Sequence, residues 1–287
     1  MFNICNALFL AGIALNRAFF LRETEEAITA DMKLNQKTIL ITGGTSGIGL
    51  ELARQLLQRS NTVIVTGRDQ GKLDDAKRAL PELHILKSDV SDPAAITALH
   101  RGVLAQFPNL DTLINNAGIM RNLKFNQDQN LEDVTREIEI NLSGPVRMIQ
   151  AFLPHLKTRP SALIVNVSSG LAFIPLTAAP IYSATKAAIH SFTQSLRVQL
   201  DETNVTVVEL APPGVETPLF RGEFAEELNG QKGMDVQVLA KKAILAIEAG
   251  KLEIRPGLSN VLKAMSRIAP QFMLNQMAKA MKPKPKK

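Results

Sequence analysis

Tyr182 and Lys186 stand four residues apart in PIYSATKAAIH. On a helix that spacing puts both side chains on one face, within reach of one bound molecule. A free phenol titrates near ~10, too high for easy proton exchange at neutrality. A neighbouring ammonium favours the phenolate and lowers that value, each unit corresponding to about 1.36 kcal/mol. The pair reads as a proton-transfer device, with Tyr182 expected to titrate below its free value. A second cluster, Thr42-Gly43-Gly44-Thr45-Ser46-Gly47-Ile48-Gly49, joins an apolar run to an amphipathic stretch. Glycines there let the backbone turn sharply and a pyrophosphate approach a helix N-terminus. Nineteen residues after Gly49 comes Arg68 in Thr66-Gly67-Arg68, with Asp69 beside it. An acidic residue there would accept from the ribose 2′-hydroxyl of NAD, whereas a guanidinium suits a 2′-phosphate, so NADP(H) is favoured over NAD(H).

The elements that must position these groups follow from the pattern. KTILIT, NTVIVT, ELHILKSD, DTLINNA, SALIVNVS and VTVVEL read as strands, and KLEIR as a short last one. Between them GIGLELARQLLQR, a segment around Gly71–Leu80, one opened by Pro93, a long one from about Leu131 to Leu156, and Pro180–Leu200 read as helices. Alternation of apolar strands with helices predicts a doubly wound parallel sheet of the Rossmann type, covered on both faces and forming one domain.

Several separate motifs recur in one order: TGGTSGIG at 42–49, SDV at 88–90, NNAG at 115–118, Asn141, NVSS at 166–169 and YSATK at 182–186. Together they resemble the short-chain dehydrogenase/reductase family over about residues 37–220. INNAGIMRN, VNVSSGLAF, YSATKAAIHS and ELAPP are most similar to its DltE-like branch. The resemblance implies that Tyr182 protonates a carbonyl oxygen as hydride arrives and that Lys186 also holds the nicotinamide ribose. It further implies that Ser169, 13 residues before Tyr182, hydrogen-bonds the reacting oxygen, and that Asn141 binds a water connected to the lysine. Gly43, Thr45, Ser46, Gly47, Ile48, Gly49, Arg68, Asp89, Val90, Asn115, Ala117, Gly118, Tyr182, Lys186, Val215 and Thr217 are the implied cofactor contacts. A homo-oligomer is implied as well.

Where most members show Pro-Gly after the sixth strand, this chain has Pro212-Pro213, which stiffens the loop and removes two donors. Leu171, Ala172, Phe173, Ile174, Pro175 and Leu176 follow the serine, and Leu219, Phe220 and Phe224 follow the cofactor loop. They would suit an apolar carbonyl substrate, or pack on one another beneath a lid. His84, His100, His155 and His190 show no paired spacing, and no metal site is expected.

Composition narrows the rest. The 287 residues are 45% hydrophobic and 21% charged, close to the soluble globular average. A single cysteine, Cys5, rules out an intramolecular disulfide. The net charge of +6 includes four lysines in the KPKPKK run; absence of Trp and a lone Tyr argue against a nucleic-acid platform. Residues 1–31 carry an apolar run interrupted by Arg17 and leave three readings open: a dispensable segment before Met32, a packed or membrane-touching helix, or a secretion signal. Residues 32–257 form the expected domain. Residues 258–287 are an amphipathic, methionine-rich segment kinked at Pro270 with a Lys-rich tail, expected to cover the substrate site, pack at a subunit contact, or rest on an anionic membrane.

The expectation is thus an NADP(H)-dependent, cytoplasmic oxidoreductase interconverting a carbonyl and an alcohol. The alternatives are a catalytically silent NADP(H)-binding regulator or scaffold, and a membrane-peripheral reductase of a lipid carbonyl. A silent protein should lack part of the Ser–Tyr–Lys set, and this chain keeps all of it.

Overall fold

A computed structural model describes residues 32–224 and 230–280. The readings made for residues 1–31 and for the final lysines lie outside those residues. Seven parallel strands form one sheet in the order β3-β2-β1-β4-β5-β6-β7. They are β1 (Thr38–Thr42), β2 (Thr62–Gly67), β3 (His84–Lys87), β4 (Thr112–Asn115), β5 (Ala162–Val167), β6 (Val205–Leu210) and β7 (Glu253–Ile254). The long helices are α1 (Gly47–Leu57), α2 (Gln70–Ala79), α3 (Pro93–Gln106), α4 (Gly144–Leu156), α5 (Pro180–Gln199), α6 (Val236–Glu248), α7 (Leu258–Ile268) and α8 (Pro270–Ala280).

Strand periodicity splits the core between the two faces. Ile39 and Ile41 point to one face and Leu40 to the other; Val63 and Val65 answer them against Ile64. On the first face Leu52 and Leu56 of α1, Leu73 of α2 and Ile244 of α6 close the core. On the second, Val103 of α3, Phe152 of α4 and Leu196 of α5 do so. This is the doubly wound arrangement that the strand–helix alternation requires. The strand order reverses between β1 and β4, where the carboxyl ends of neighbouring strands diverge and leave a crevice for a ligand. Met32 and Leu34 are already in the core, and the Asn61 amide holds the Leu34 carbonyl at 2.9 Å.

Two elements differ from the sequence expectation. The helix expected from Leu131 to Leu156 is interrupted. Short turns at Leu131–Val134 and Arg136–Ile138 lead into a single widened π-turn at Glu139–Ser143, and only then does α4 begin. Pro145 is the reason on the sequence side, because its missing N–H removes one rung of an ordinary α-helix just there. The second difference is α6, absent from the strand–helix reading. Its signals were present: Asp235 caps it by accepting from the Gln237 and Val238 amides at 2.8 and 3.0 Å, and Leu239, Ala240, Ala243, Ile244 and Ile247 form its buried stripe.

Candidate active site

The glycine turn bridges the end of β1 and the start of α1. Gly43 has φ +66°, and a Cβ there would stand 2.7 Å from the Ala117 Cα. Gly49 lies inside α1; its missing side chain lets α1 sit against the Gly43 carbonyl, which a Cβ would meet at 2.4 Å. The Ser46 side chain makes no capping bond to the first turn of α1. The N–H groups of that turn therefore have no side-chain acceptor, the arrangement that receives a phosphate.

A cleft of about 340 Å³ opens above this turn. Gly43, Thr45, Ser46, Gly47 and Ile48 line it, with Arg68, Asp89, Val90, Ala117, Gly118, Tyr182, Lys186 and Thr217 from other elements. Most of the expected cofactor contacts are thus brought together. At its far end Arg68 is joined by Lys72, which sequence reasoning had not singled out. Asp69 is spent on capping α2, accepting from the Lys72 amide at 3.1 Å. Burial works to raise the Asp89 carboxyl, but the Ser91 hydroxyl and amide, at 2.7 and 2.9 Å, and the Arg68 charge hold it below its usual range.

Three expected contacts are placed differently. Asn115 is buried within the sheet, its amide donating to the Asn166 side chain at 3.0 Å, so it does not line the cleft. The next residue does: Asn116 lines the cleft and braces the glycine turn through the Thr42 and Gly43 carbonyls at 3.1 and 3.0 Å. Strand alternation explains the exchange, since adjacent residues face opposite ways. Gly49 supports the turn without lining the cleft, and Val215 lines the neighbouring cavity instead.

That second cavity, about 510 Å³, shares Tyr182, Pro212 and Thr217 with the cleft. Ser169, Leu171, Leu176, Leu219, Phe220 and Phe224 line it, with Leu258 and Leu262 of α7 and Met277 of α8. Of the residues following the serine, Ala172, Phe173, Ile174 and Pro175 do not; the Phe173 ring instead packs edge-on against His190, 5.0 Å between centroids. Leu171, Leu176, Phe220 and Phe224, which line the cavity, also pack with Tyr182 in one apolar cluster.

Tyr182 and Lys186 lie on α5 and are buried, with the Lys186 ammonium 5.5 Å from the phenol ring centroid. The expectation that the lysine lowers the phenol is overturned. Burial is the largest influence and pushes Tyr182 up to about 12; the Ser169 hydrogen bond pulls it down and the buried Glu137 carboxylate pushes it further up. Burial also pushes Lys186 down to about 8, and its ammonium donates to the Val167 carbonyl at 2.8 Å. Ser169 sits at the carboxyl end of β5, its hydroxyl accepting from the Leu171 amide at 3.1 Å. Asn141 falls inside the π-turn. Its side chain is tied to both backbone groups of Ile119, at 2.9 and 2.8 Å, and to the Thr185 hydroxyl at 3.2 Å. The residue four positions on is Pro145, so the Asn141 carbonyl has no ordinary helical donor.

His190, one turn beyond Lys186, meets the fully buried Glu209 at 2.7 Å, and Glu209 also accepts from the Ser168 hydroxyl. The ligand atoms of His190, Glu209 and Glu253 lie within 4.8 Å of one another, a grouping no sequence spacing announced. Glu253 is engaged by Lys263 and Arg255.

A parallel doubly wound sheet, a glycine turn at its switch point and a Ser–Tyr–Lys set beside it define a dinucleotide-binding dehydrogenase architecture. The sequence model of the family described as short chain dehydrogenase matches residues 37–228, and the chain belongs to that family. It is 43% identical over 224 residues to the uncharacterized oxidoreductase DltE of Bacillus subtilis, covering 78% of this chain and 89% of that protein. A short-chain dehydrogenase from Sphingobium yanoikuyae in complex with NADPH superposes with a TM-score of 0.72 at 27% identity, over 83% of this chain and 95% of that one. A 3-ketoacyl-(acyl-carrier-protein) reductase from Brucella melitensis complexed with NADH gives 0.70 at 26% identity, over 79% and 100%.

Proposed function

We propose that this chain is an NADP(H)-dependent oxidoreductase that interconverts an apolar carbonyl compound and its alcohol. One observation carries the reading: Tyr182 lines both the glycine-turn cleft and the apolar cavity, with Lys186 on the cleft side and Ser169 on the cavity side. A substrate oxygen between the Ser169 and Tyr182 hydroxyls would accept from both, while its apolar remainder fills the cavity. When bound, the nicotinamide cofactor supplies the hydride. The Tyr182 phenol is protonated at neutral pH and holds the proton that reduction delivers to the oxygen, although burial makes it a weaker acid than a free phenol in the cofactor-free chain. Lys186, which lines the cleft beside Tyr182, would hold the cofactor ribose. The Asn141 carbonyl, whose ordinary helical donor Pro145 removes, is the group that would hold a relay water.

The fit to a dinucleotide rests on the open first turn of α1 and the glycine cradle, and the preference for NADP(H) rests on Arg68 and Lys72 at the far end of the cleft with Asp69 occupied. A cytoplasmic homo-oligomer, with residues 32–257 as its Rossmann-type domain and α7–α8 closing the apolar cavity, completes the reading. NADPH should bind more tightly than NADH, and Arg68→Ala should weaken NADPH by about 1–3 kcal/mol while leaving NADH nearly unchanged. Titration of cofactor fluorescence against both proteins measures this. Equal affinity of the unsubstituted protein for the two cofactors would sink the argument from Arg68.

A further inference from the structure

Helices α7 and α8 have apolar side chains on both sides. Inward, Leu262 is buried and lines the apolar cavity with Met277. Outward, Val261 and Ile268 form a row along α7 at helical spacing, 49% and 77% exposed, while Leu258 stands at the edge between this row and the cavity it lines. In α8 Phe272 is 56% exposed. Arg267 and Lys279 are exposed too, while Lys263 is held by Glu253. Residues 258–287 contain seven basic residues and no acidic one.

We propose that this face docks on an anionic lipid surface, with the outer row of α7 inserted shallowly and the exposed Arg267 and Lys279 at the headgroups. An apolar row flanked by cations, without acidic residues, is the pattern of a helix lying in a membrane interface. No helix among the described residues is long and apolar enough to cross a membrane, so the contact is peripheral. A second copy fits this face worse. A two-fold contact through the row would set each cationic segment against its own image. Residues 1–31 also fit worse as a cover, since they carry only two net negative charges against those seven positive ones. Docking would place the cavity wall on the bilayer. That consequence, supply of a lipid-soluble carbonyl substrate from the membrane, rests on the oxidoreductase reading, whereas the docking itself does not.

Cosedimentation of the full chain with phosphatidylcholine vesicles, with and without phosphatidylglycerol, tests the proposal. The chain should pellet with the anionic vesicles at low salt, stay in solution with the neutral ones, and be released at high salt. Deleting residues 282–287 should weaken binding roughly tenfold or more. Val261→Asp with Ile268→Asp should weaken it by at least a similar factor, and Ile268→Ser should do so less severely. NADPH binding should persist in every variant and serves as the check of folding. A full chain that stays in the supernatant with anionic vesicles overturns the proposal, whether residues 1–31 or a second copy then cover the row. Pelleting indifferent to the Asp and Ser substitutions also overturns it. So does a drop in oligomer mass caused by Ile268→Ser. The readout needs no turnover, so its failure leaves the oxidoreductase reading standing. A failed NADPH-oxidation assay with a water-soluble ketone leaves the docking result standing.

Discussion

Lys186 and Tyr182 pay for burial in opposite parts of the pH scale. The lysine is pushed down to about 8, so between pH 8 and 10.5 the folded chain has released a proton that the unfolded chain still holds. Stability therefore rises with pH across that window. The tyrosine is pushed up to about 12, so above pH 10 the unfolded chain ionises first and stability falls. Lys186→Met removes only the first effect. Relative to it, the unsubstituted protein should gain on the order of 2–3 kcal/mol between pH 8 and 10.5. Urea denaturation of both proteins across that range checks this, and a gap that does not move with pH refutes the burial argument. The same substitution should abolish turnover. Tyr182 is the only tyrosine and there is no tryptophan, so tyrosinate absorbance reports on this one side chain. In the folded, cofactor-free protein it should stay flat through pH 10.

At the scale of elements, α1 carries the cleft and depends on how closely it meets the turn before it. Gly49→Ala places a Cβ 2.4 Å from the Gly43 carbonyl and 2.5 Å from the Asn116 amide nitrogen. Backbone must shift, because neither β1 nor the Asn116 brace can give without losing its own hydrogen bonds. The variant should lose about 1–3 kcal/mol of stability, read by denaturant midpoint, and bind NADPH at least tenfold more weakly. Unchanged cofactor affinity would mean that the turn is not the phosphate seat. The interrupted helix before α4 is a similar case of local geometry serving the site. A regular helix would bond the Asn141 carbonyl to the amide four residues on, and Pro145 in the turn after the π-segment removes that donor.

For the whole molecule, the described body is closed on both faces of its sheet from Met32 onward. Deleting residues 1–31 should therefore leave NADPH affinity unchanged and shift the thermal midpoint by no more than a few degrees. Differential scanning fluorimetry with and without NADPH measures both. An insoluble or cofactor-blind truncation would make that segment structural. The helix pair α7–α8 completes the apolar cavity from a part of the chain more than 70 residues beyond Tyr182.

The strands, the doubly wound class, the glycine turn and the Tyr182–Lys186 spacing were determined by the sequence itself, because period-two apolar runs, glycine steric freedom and helical i,i+4 geometry are local rules, whereas Ser169 was legible only through the family resemblance. Arg68 reaches the cleft for the same reason, since it follows a strand whose end is legible, and Asp89 was marked by the family resemblance. Tertiary structure alone decided that Asn116 rather than Asn115 faces the cleft, because the strand's rotation about its axis is set by its neighbours. It decided that α7 and α8 wall the cavity. It also reversed the expected direction of the Tyr182 shift. The spacing of Tyr182 and Lys186 says how near the two groups lie, but desolvation depends on everything packed around them, and here burial outweighs the neighbouring charge.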